Sequence, residues 1–441
     1  MRRRLSPTVL PRHGAASVPS AAALDTDALV IGAGPAGASA AIRLAQAGWR
    51  VLLVEQHEYP RQKVCGECVA AGNVALLDEL GIGTEFRKQA GAELKEVGWV
   101  SGRATLTAEF PPCNTGPYRF GRALGRDVFD SLLLERARSV GVCILQPAKV
   151  RAVRGSLGQF ECHVEKRTPA GDGAGNLEPV VISAAIIIDA HGSWEAPPSF
   201  ADSDLARRRV SQRAQDLFAF KARFHGATLS PQLLAVLAFA GGYGGIVVAE
   251  GGQTTLACCI RRDALQSSRA LSPRVTAGVA VEATLKRSCL GVREALRHAR
   301  REGSWLSVGP IRPGIRLNAP LGVFRVGNSG GESHPLIGEG ISMALQSARL
   351  LAGGLTRQPV AAIDERGALL LQRRYSRAWH RHFAPRLRLA SLYAHMAMEP
   401  MLAAPVRVLL GRRPLLLTQA ARFAGKARDP MTPLSPSREL P

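Results

Sequence analysis

A glycine-rich segment near the start of the chain has the spacing of a nucleotide-binding turn. Gly32, Gly34 and Gly37 follow the apolar run 27–31, and an alanine-rich run that includes Ala36 continues from them. In such a turn the first glycine permits the tight bend, the second lets a pyrophosphate approach the backbone, and the third lets a helix pack closely on the sheet. The helix N-terminus then presents free N–H groups to the phosphates. The segment therefore predicts a dinucleotide site.

An acidic residue lies where such a site binds a ribose. Glu55 ends the apolar run 50–55, about 20 residues after the glycines, as this motif requires. A carboxylate there can accept hydrogen bonds from both ribose hydroxyls of an adenosine. Runs 27–31 and 50–55 flank a predicted helix at 36–48. We therefore predict a strand–helix–strand unit with parallel strands and a right-handed crossover.

A second glycine-rich segment, VGNSGGESHPLIGEGISMAL at 326–345, lies far along the chain. It falls where the pattern predicts a strand at 322–327 followed by a helix at 338–354. With this segment the chain resembles the flavoprotein superfamily of class A monooxygenases (aromatic-ring hydroxylases), geranylgeranyl reductases and flavin-dependent halogenases. The resemblance implies that the dinucleotide is FAD.

The resemblance assigns roles within this second segment. It places Gly327 and Asn328 at the ribityl and pyrophosphate region, although Asn328 replaces the usual Asp of the family. It places Pro335, Gly338 and Gly340 against the isoalloxazine ring. His334, directly before that proline, is a candidate acid or base in the loop over the flavin.

Two other segments resemble the same superfamily. Arg126 begins a run that fits the R-x-x-F-D-x-x-L helix of the family, in which the arginine lies near the FAD pyrophosphate. Residues 189–194 (DAHGSW) stand where hydroxylases have A-D-G-x-x-S. His191 there replaces an Asp associated with FAD and NADPH contacts, so direct transfer of the NADPH contact does not follow. His191 and His225 are further histidines able to act as acid or base.

The branch of the superfamily is indicated by residues 61–67 (RQKVCGE). They resemble the K-V-C-G stretch of the geranylgeranyl reductase branch, which lies by the flavin ring, and make Cys65 a candidate catalytic residue. Cys65 and Cys68 also form C-x-x-C, which leaves a redox dithiol as an alternative. Residues 241–250 stand where that branch lines its substrate pocket: Tyr243 is kept, and Gly245 replaces a Trp. The W-x-W-x-I-P motif of halogenases is missing.

The composition is that of an ordinary globular protein with a strong positive charge. The chain has 441 residues, a net charge of +22 and eight scattered cysteines, which suits a reducing cytoplasm. No stretch has the length of a membrane-spanning helix. The charge has two readings: a bias toward arginine, or attraction to an anionic surface. Nucleic-acid motifs are missing, and no metal-ligand spacing occurs. The basic, apolar segment 400–426 fits either packed helices or peripheral contact with a membrane.

The predicted fold is α/β, with a Rossmann-like FAD/NAD(P)-binding domain of the three-layer glutathione reductase type, an inserted β-sheet substrate domain and C-terminal helices. The predicted division is 1–24 as a disordered tail, 25–200 and 309–358 as the FAD-binding domain, 201–308 as the substrate domain, 359–427 as the helical region and 428–441 as a tail.

These features predict an FAD-dependent oxidoreductase with NADPH or NADH as reductant. The leading hypothesis is a monooxygenase acting on an apolar, phenolic or polyketide-like small molecule, since no catalytic triad or metal cluster is needed when the cofactor carries the chemistry. One alternative is saturation of isoprenoid double bonds. Another is a membrane-associated flavin-binding protein without turnover, which Asn328 and His191 keep open.

Overall fold

The computed structural model describes residues 25–114, 116–168, 176–200 and 213–423. The two predicted tails lie outside these ranges. The first sheet is centred on the predicted strand–helix–strand unit. Its strands are β1 (Asp25–Ile31), β2 (Val51–Val54), β7 (Cys143–Leu145), β8 (Ala148–Ser156), β9 (Gln159–Thr168), β10 (Asn176–Asp189), β11 (Ser199–Phe200) and β18 (Val323–Arg325).

Parallel pairing brings the carboxyl ends of the central strands to one edge of this sheet. Ile31 at the end of β1 pairs with Val54 of β2 on one side and with Asp189 of β10 on the other. The end of β10 also pairs in parallel with β18, while β8, β9 and the first half of β10 are antiparallel. In a parallel α/β sheet this edge is where ligands bind, and both glycine-rich segments begin there.

The second sheet is mixed and largely antiparallel. Its strands are β4 (Glu96–Ser101), β5 (Ala104–Glu109), β12 (Leu217–His225), β13 (Leu233–Phe239), β14 (Gly242–Val248), β15 (Thr254–Arg261) and β16 (Arg300–Ile311). Two short pairs are separate: β3 (Cys68–Val69) with β6 (Arg122–Ala123), and β17 (Gly314–Ile315) with β19 (Gly331–Glu332).

One boundary in the predicted domain division needs correction. The prediction gave all of 25–200 to the FAD-binding domain, but β4 and β5 belong to the second sheet, where β4 pairs in parallel with β13. β4 is buried along most of its length, which requires an interior position between two neighbours. Its partner lies more than 100 residues away, and local sequence does not specify such a pairing.

Eleven α-helices occur in the described ranges: α1 (Pro35–Gln46), α2 (Ala71–Leu80), α3 (Gly83–Gln89), α4 (Arg126–Ser139), α5 (Arg262–Ala270), α6 (Ala277–Ser288), α7 (Leu290–Ala295), α8 (Gly340–Leu355), α9 (Glu365–Met398), α10 (Pro400–Arg412) and α11 (Leu415–Ala421). Helices α1, α4, α8 and α9 form the main apolar core with the parallel strands. The second sheet packs α6 and α7 on one face and α9 to α11 on the other. Within the described ranges, every helix is too short or too polar to cross a bilayer.

Candidate functional site

The loop after β1 has the geometry that the glycine pattern predicts. Gly32 adopts a φ of +97°, which disfavours residues with a side chain. A Cβ on Gly37 would lie 1.9 Å from the Gly32 carbonyl oxygen, so α1 can approach the strand this closely only without a side chain there. Gly34 is the N-cap of α1 and makes no side-chain cap, which leaves the first N–H groups of the helix free for an anion.

Glu55 closes this loop from the end of β2. Its buried carboxylate accepts hydrogen bonds from the backbone N–H of Ala33 (2.8 Å) and of His57 (2.9 Å). Each carboxylate oxygen has further acceptor capacity. Glu55 also lines a small cavity of about 50 Å³, together with Gly32 and His191. Glu55, the residue predicted to bind the ribose, therefore lies on the wall of a cavity.

A larger cavity of about 500 Å³ lies between the two sheets and the C-terminal helices. Gly34 and Lys63 line both cavities. The predicted cofactor residues that line the larger one, in addition to Gly34, are Ala36, Arg126, Gly327, Asn328, Pro335, Gly338 and Gly340. The smaller cavity lies beside Glu55, the predicted ribose-binding residue, while the shared wall suits a pyrophosphate and the larger cavity a flavin. The residues present therefore fit FAD.

Two cations lie near the boundary of the cavities: Lys63, which is half-buried and lines both, and Arg126, which is buried, lines the larger one and lies close to Gly34. Arg126 donates two hydrogen bonds of 2.7 Å to Asp130. Lys63 makes no salt bridge in the described part of the chain, and its Nζ lies 5.2 Å from the centre of the Trp194 ring. Burial, with the nearby cations Arg126 and Arg61, lowers the pKa of Lys63 to about 8. A cation in this position would be stabilised by the pyrophosphate of FAD, and sequence reasoning did not single it out.

Replacing Lys63 with Met should weaken FAD binding about tenfold, the value of one charge-assisted hydrogen bond. An anion favours the charged amine, so the pKa rises when FAD binds. Affinity of the native chain should therefore be constant below pH 8, where free Lys63 is already charged, and fall above it. Flavin fluorescence titrations on both sides of pH 8 measure how the affinity for FAD changes with pH. Lys88→Met, at an exposed position, should keep the native profile. A Lys63→Met variant with an unchanged pH profile would contradict the assignment.

The second glycine-rich segment faces the first across the larger cavity. The backbone N–H of Gly327 donates to Ser347 Oγ (2.9 Å), which ties the loop to α8. The Asn328 amide donates to Ser193 Oγ (3.4 Å) and to Glu332 Oε1 (3.5 Å). An Asp at 328 would bring a second carboxylate against Glu332. The presence of Asn328 in place of the usual Asp therefore has a local electrostatic reason.

The loop RQKVCGE lies on the other side of the cavity. Cys65 and Cys68 both line the cavity and are not joined by a disulfide, so the catalytic role of Cys65 and the dithiol alternative both stay predictions. The Glu67 N–H donates to Cys65 Sγ (3.3 Å). Glu67 itself is the non-glycine residue of the described ranges with a positive φ, +60°. Such a conformation needs support from surrounding contacts.

That support is a buried cluster of charges between the two domains. The Glu67 carboxylate contacts Lys221, Arg223 (3.0 Å) and Thr255 (2.5 Å). Arg223 also bonds to Asp127. Sequence reasoning missed this cluster. The sequence did contain a sign of it. Lys221 and Arg223 are two residues apart in the otherwise apolar strand LFAFKARFH, so both cations lie on the same face of that strand.

The predicted substrate residue Tyr243 lines the cavity, and the predicted acid–base residue His334 lies against it. The Tyr243 hydroxyl lies 3.0 Å from His334 Nδ1. Burial lowers the pKa of His334 to about 4, so the ring is neutral near pH 7 and its Nδ1 can accept the hydrogen bond that Tyr243 donates. Burial also raises the pKa of Tyr243. Gly245 also lines the cavity, and a Cβ there would make only an ordinary contact, 3.6 Å from the Ala235 carbonyl oxygen.

The other two histidines have different surroundings. His191 pairs with Asp189 beside the smaller cavity. His225 is exposed and lies 3.6 Å from Glu302 at the far end of β12. The prediction of an acid–base role for His225 is therefore wrong. Its strand turns to the surface at this residue, away from the cavity. In the described ranges, no group of three or more His, Cys, Asp or Glu residues is placed to hold a metal ion.

Comparison with known proteins agrees with this geometry. Residues 25–170 match a family described as FAD binding domain. Menaquinone reductase of Mycobacterium tuberculosis is 32% identical over 130 residues, which are 29% of this chain and 30% of that protein. Tryptophan 2-halogenase of Chondromyces crocatus is 25% identical over 81% of this chain and 66% of its own length. The 6-methylpretetramide 4-monooxygenase of Streptomyces rimosus is 32% identical over 27% of this chain and 29% of its own length.

Solved structures show the same fold over most of the chain. A flavin-dependent brominase superposes with a TM-score of 0.67 at 17% identity and covers 91% of this chain and 94% of its own. A geranylgeranyl bacteriochlorophyll reductase-like protein of Thermoplasma acidophilum has the same TM-score and identity and covers 91% and 96%. The predicted Rossmann-like domain with an inserted sheet domain is therefore confirmed.

The protein is an FAD-binding flavoprotein, as shown by its fold, its two glycine-rich segments and the match of residues 25–170 to the FAD binding domain family. Residues 25–170 match the FAD binding domain family, and the fold over most of the chain is similar to that of the solved structures above. The relatives support the prediction of a flavin-dependent oxidoreductase. The matched region spans only 30% of the menaquinone reductase, so the relatives' activities do not pass directly to this chain.

Proposed function

We propose that this protein is an FAD-dependent, NAD(P)H-dependent monooxygenase that acts on an apolar, phenolic or polyketide-like molecule. The observation that carries the proposal is the apolar extension of the larger cavity beyond the two glycine motifs. Its walls are the second sheet and the C-terminal helices. The apolar side chains that line it include Val97, Trp99, Phe110, Leu234, Val236, Met396, Leu410 and Leu417. A cavity of this kind binds lipophilic ligands and needs few polar groups to orient them.

FAD would supply the redox chemistry that links NAD(P)H, molecular oxygen and the substrate, while the chain binds and orients these reactants. Gly34, Lys63 and Arg126 would hold the pyrophosphate, and Glu55 the ribose. Helices α9 to α11 enclose the cavity and keep water from the reacting atoms. The relationship to a 6-methylpretetramide monooxygenase supports a substrate of this class.

Tyr243 and His334 are the proposed polar anchor on this apolar wall. Because the Tyr243 hydroxyl donates its hydrogen to His334, its oxygen can accept a hydrogen bond from a phenol hydroxyl of the substrate. The neutral His334 ring behind it can accept a proton through that hydroxyl. A phenol reacts with an electrophile more readily once it loses its proton. The pair thus offers the acid–base function that hydroxylation of a phenol requires.

Tyr243→Phe and His334→Phe should each lower kcat/KM by about hundredfold, the typical contribution of one general base. Activity of the native chain should be level above about pH 5 and fall as pH approaches 4, because protonated His334 can no longer accept the hydrogen bond. Steady-state rates against pH measure both effects. Tyr375→Phe is the matched control, since this buried tyrosine bonds to the Arg325 carbonyl (2.8 Å) outside the cavity. Equal losses in all three variants would count against the anchor.

Saturation of isoprenoid double bonds is the second candidate. It is favoured by residues 63–66 (K-V-C-G), which line the cavity, and by the relationship to a menaquinone reductase. Gly245, which lines the cavity without a side chain, would also leave room for a long chain. On this reading Tyr243 would return a proton to the substrate rather than remove one.

The test is NAD(P)H oxidation by the FAD-loaded chain with phenolic, polyketide and isoprenoid candidates, in air and under nitrogen. A monooxygenase consumes oxygen in proportion to product and adds labelled oxygen from ¹⁸O₂. A product that forms under nitrogen and has gained two hydrogen atoms relative to the substrate supports the reductase instead. Halide-dependent product would indicate a halogenase, although the W-x-W-x-I-P motif is missing from the sequence. No NAD(P)H oxidation with any candidate would favour a flavin-binding protein without turnover.

A further inference from the structure

Helices α10 and α11 form part of the cavity wall and also an apolar outer surface. Leu410 and Leu417 line the cavity. Met401 and Leu415 on the same two helices are 89% and 75% exposed. Leu409 does both, since it lines the cavity and is 52% exposed. The cavity therefore reaches the molecular surface at an apolar patch, and large exposed apolar patches mark interaction sites.

This surface carries charge of one sign. Residues 400–423 contain four arginines, Arg407, Arg412, Arg413 and Arg422, and neither Asp nor Glu. Arg412 and Arg413 are exposed, and in the sequence they lie between Met401 on α10 and Leu415 on α11. Helices that present apolar residues next to arginines and lack acidic residues fit the interface of a bilayer with anionic lipids. We call the exposed residues Met401, Leu402, Val408, Leu409, Arg412, Arg413 and Leu415 the C-terminal patch.

We propose that the C-terminal patch docks on an anionic lipid bilayer and that the cavity opens there to receive a lipophilic substrate from the membrane. Docking itself rests on the patch alone, while the passage of substrate rests on the function proposed above. The apolar side chains would enter the acyl boundary, and the arginines would bond lipid phosphates. The Leu409 position, at the junction of patch and cavity, would form the opening.

The alternative is that a second copy of the chain covers the patch in a dimer. Charge argues against it. Each copy has a net charge of +22, and a patch without an acidic residue offers no counter-charge to a facing copy. Like charges brought together at an interface repel. An anionic bilayer complements both features of the patch.

The test is sedimentation of the FAD-loaded full chain with vesicles of phosphatidylcholine alone or mixed with phosphatidylglycerol. We expect binding to the mixed vesicles that weakens at high salt. Met401→Glu/Leu415→Glu and Arg412→Ser/Arg413→Ser should each lower the partition coefficient about tenfold or more, since each arginine near an anionic surface and each buried apolar side chain contributes. Leu271→Glu is the matched control, because Leu271 is 73% exposed but lies by α5, away from the patch.

Flavin content and circular dichroism show whether each variant is folded. Three results would overturn docking on a membrane: no sedimentation with mixed vesicles, equal loss for Leu271→Glu, or a dimer in analytical ultracentrifugation that Met401→Glu/Leu415→Glu dissociates. Vesicle binding is measured without turnover. It can therefore fail while NAD(P)H-dependent oxidation of detergent-dispersed substrates persists, or succeed when that activity is missing.

Discussion

Replacing Glu67 with Gln is expected to lower the free energy of unfolding by about 3–5 kcal/mol, the usual cost of breaking a buried ion pair by removing one partner. Glu67 and Lys221 are fully buried and Arg223 nearly so. In the variant, Lys221 loses its charged partner: the Gln side chain offers one neutral acceptor oxygen, and the Lys63 carbonyl at 3.3 Å remains. The variant also removes contacts that hold Glu67 at a positive φ. Urea denaturation of the FAD-free chain measures the loss.

Two further variants separate burial from the mere presence of charge. Glu79 also contacts two arginines, Arg43 and Arg349, but on the surface. Glu79→Gln should therefore cost less than about 1 kcal/mol. Glu67→Gln/Lys221→Met should recover much of the stability, because it no longer leaves an unpaired buried cation. If Glu67→Gln and Glu79→Gln destabilise equally, the buried cluster does not support the fold as described.

Gly34→Leu should raise the Kd for FAD by at least about hundredfold, equal to about 2.7 kcal/mol. A Cβ on Gly34 meets only the Arg126 guanidinium, at 3.9 Å, so the side chain would project into the space that the pyrophosphate needs. Gly34 has a φ of −65°, which any residue adopts. The FAD-free fold should therefore persist, and flavin fluorescence titration with circular dichroism measures the two properties separately.

Two other glycine variants serve as controls for Gly34→Leu. Gly353→Leu, on the exposed side of α8 with nothing near its Cβ, should bind FAD like the native chain. Gly37→Ala should instead disturb the fold, because its Cβ would meet the Gly32 carbonyl oxygen at 1.9 Å. Native FAD affinity in Gly34→Leu would mean that the cofactor does not approach the chain at this loop.

The parts of this protein that its sequence predicted are those whose geometry is set within a few residues. The turn at Gly32 and Gly34, the start of α1 and the acidic end of β2 follow from local backbone requirements and strand pattern. The second glycine-rich loop and α8 follow in the same way. That both segments bind one FAD was implied by the resemblance to the flavoprotein superfamily, and it agrees with parallel strands ending at one edge of a sheet.

Only the tertiary structure decided which distant residues meet. Tyr243 and His334 are on different elements, and their hydrogen bond forms because β14 and the loop before α8 pack on one cavity. The placement of β4 in the second sheet and the contact of Glu67 with Lys221 likewise join residues more than 100 positions apart. Such contacts depend on how whole sheets and helices bury their apolar faces together. Propensity and motif spacing describe each segment alone, so they do not contain this information.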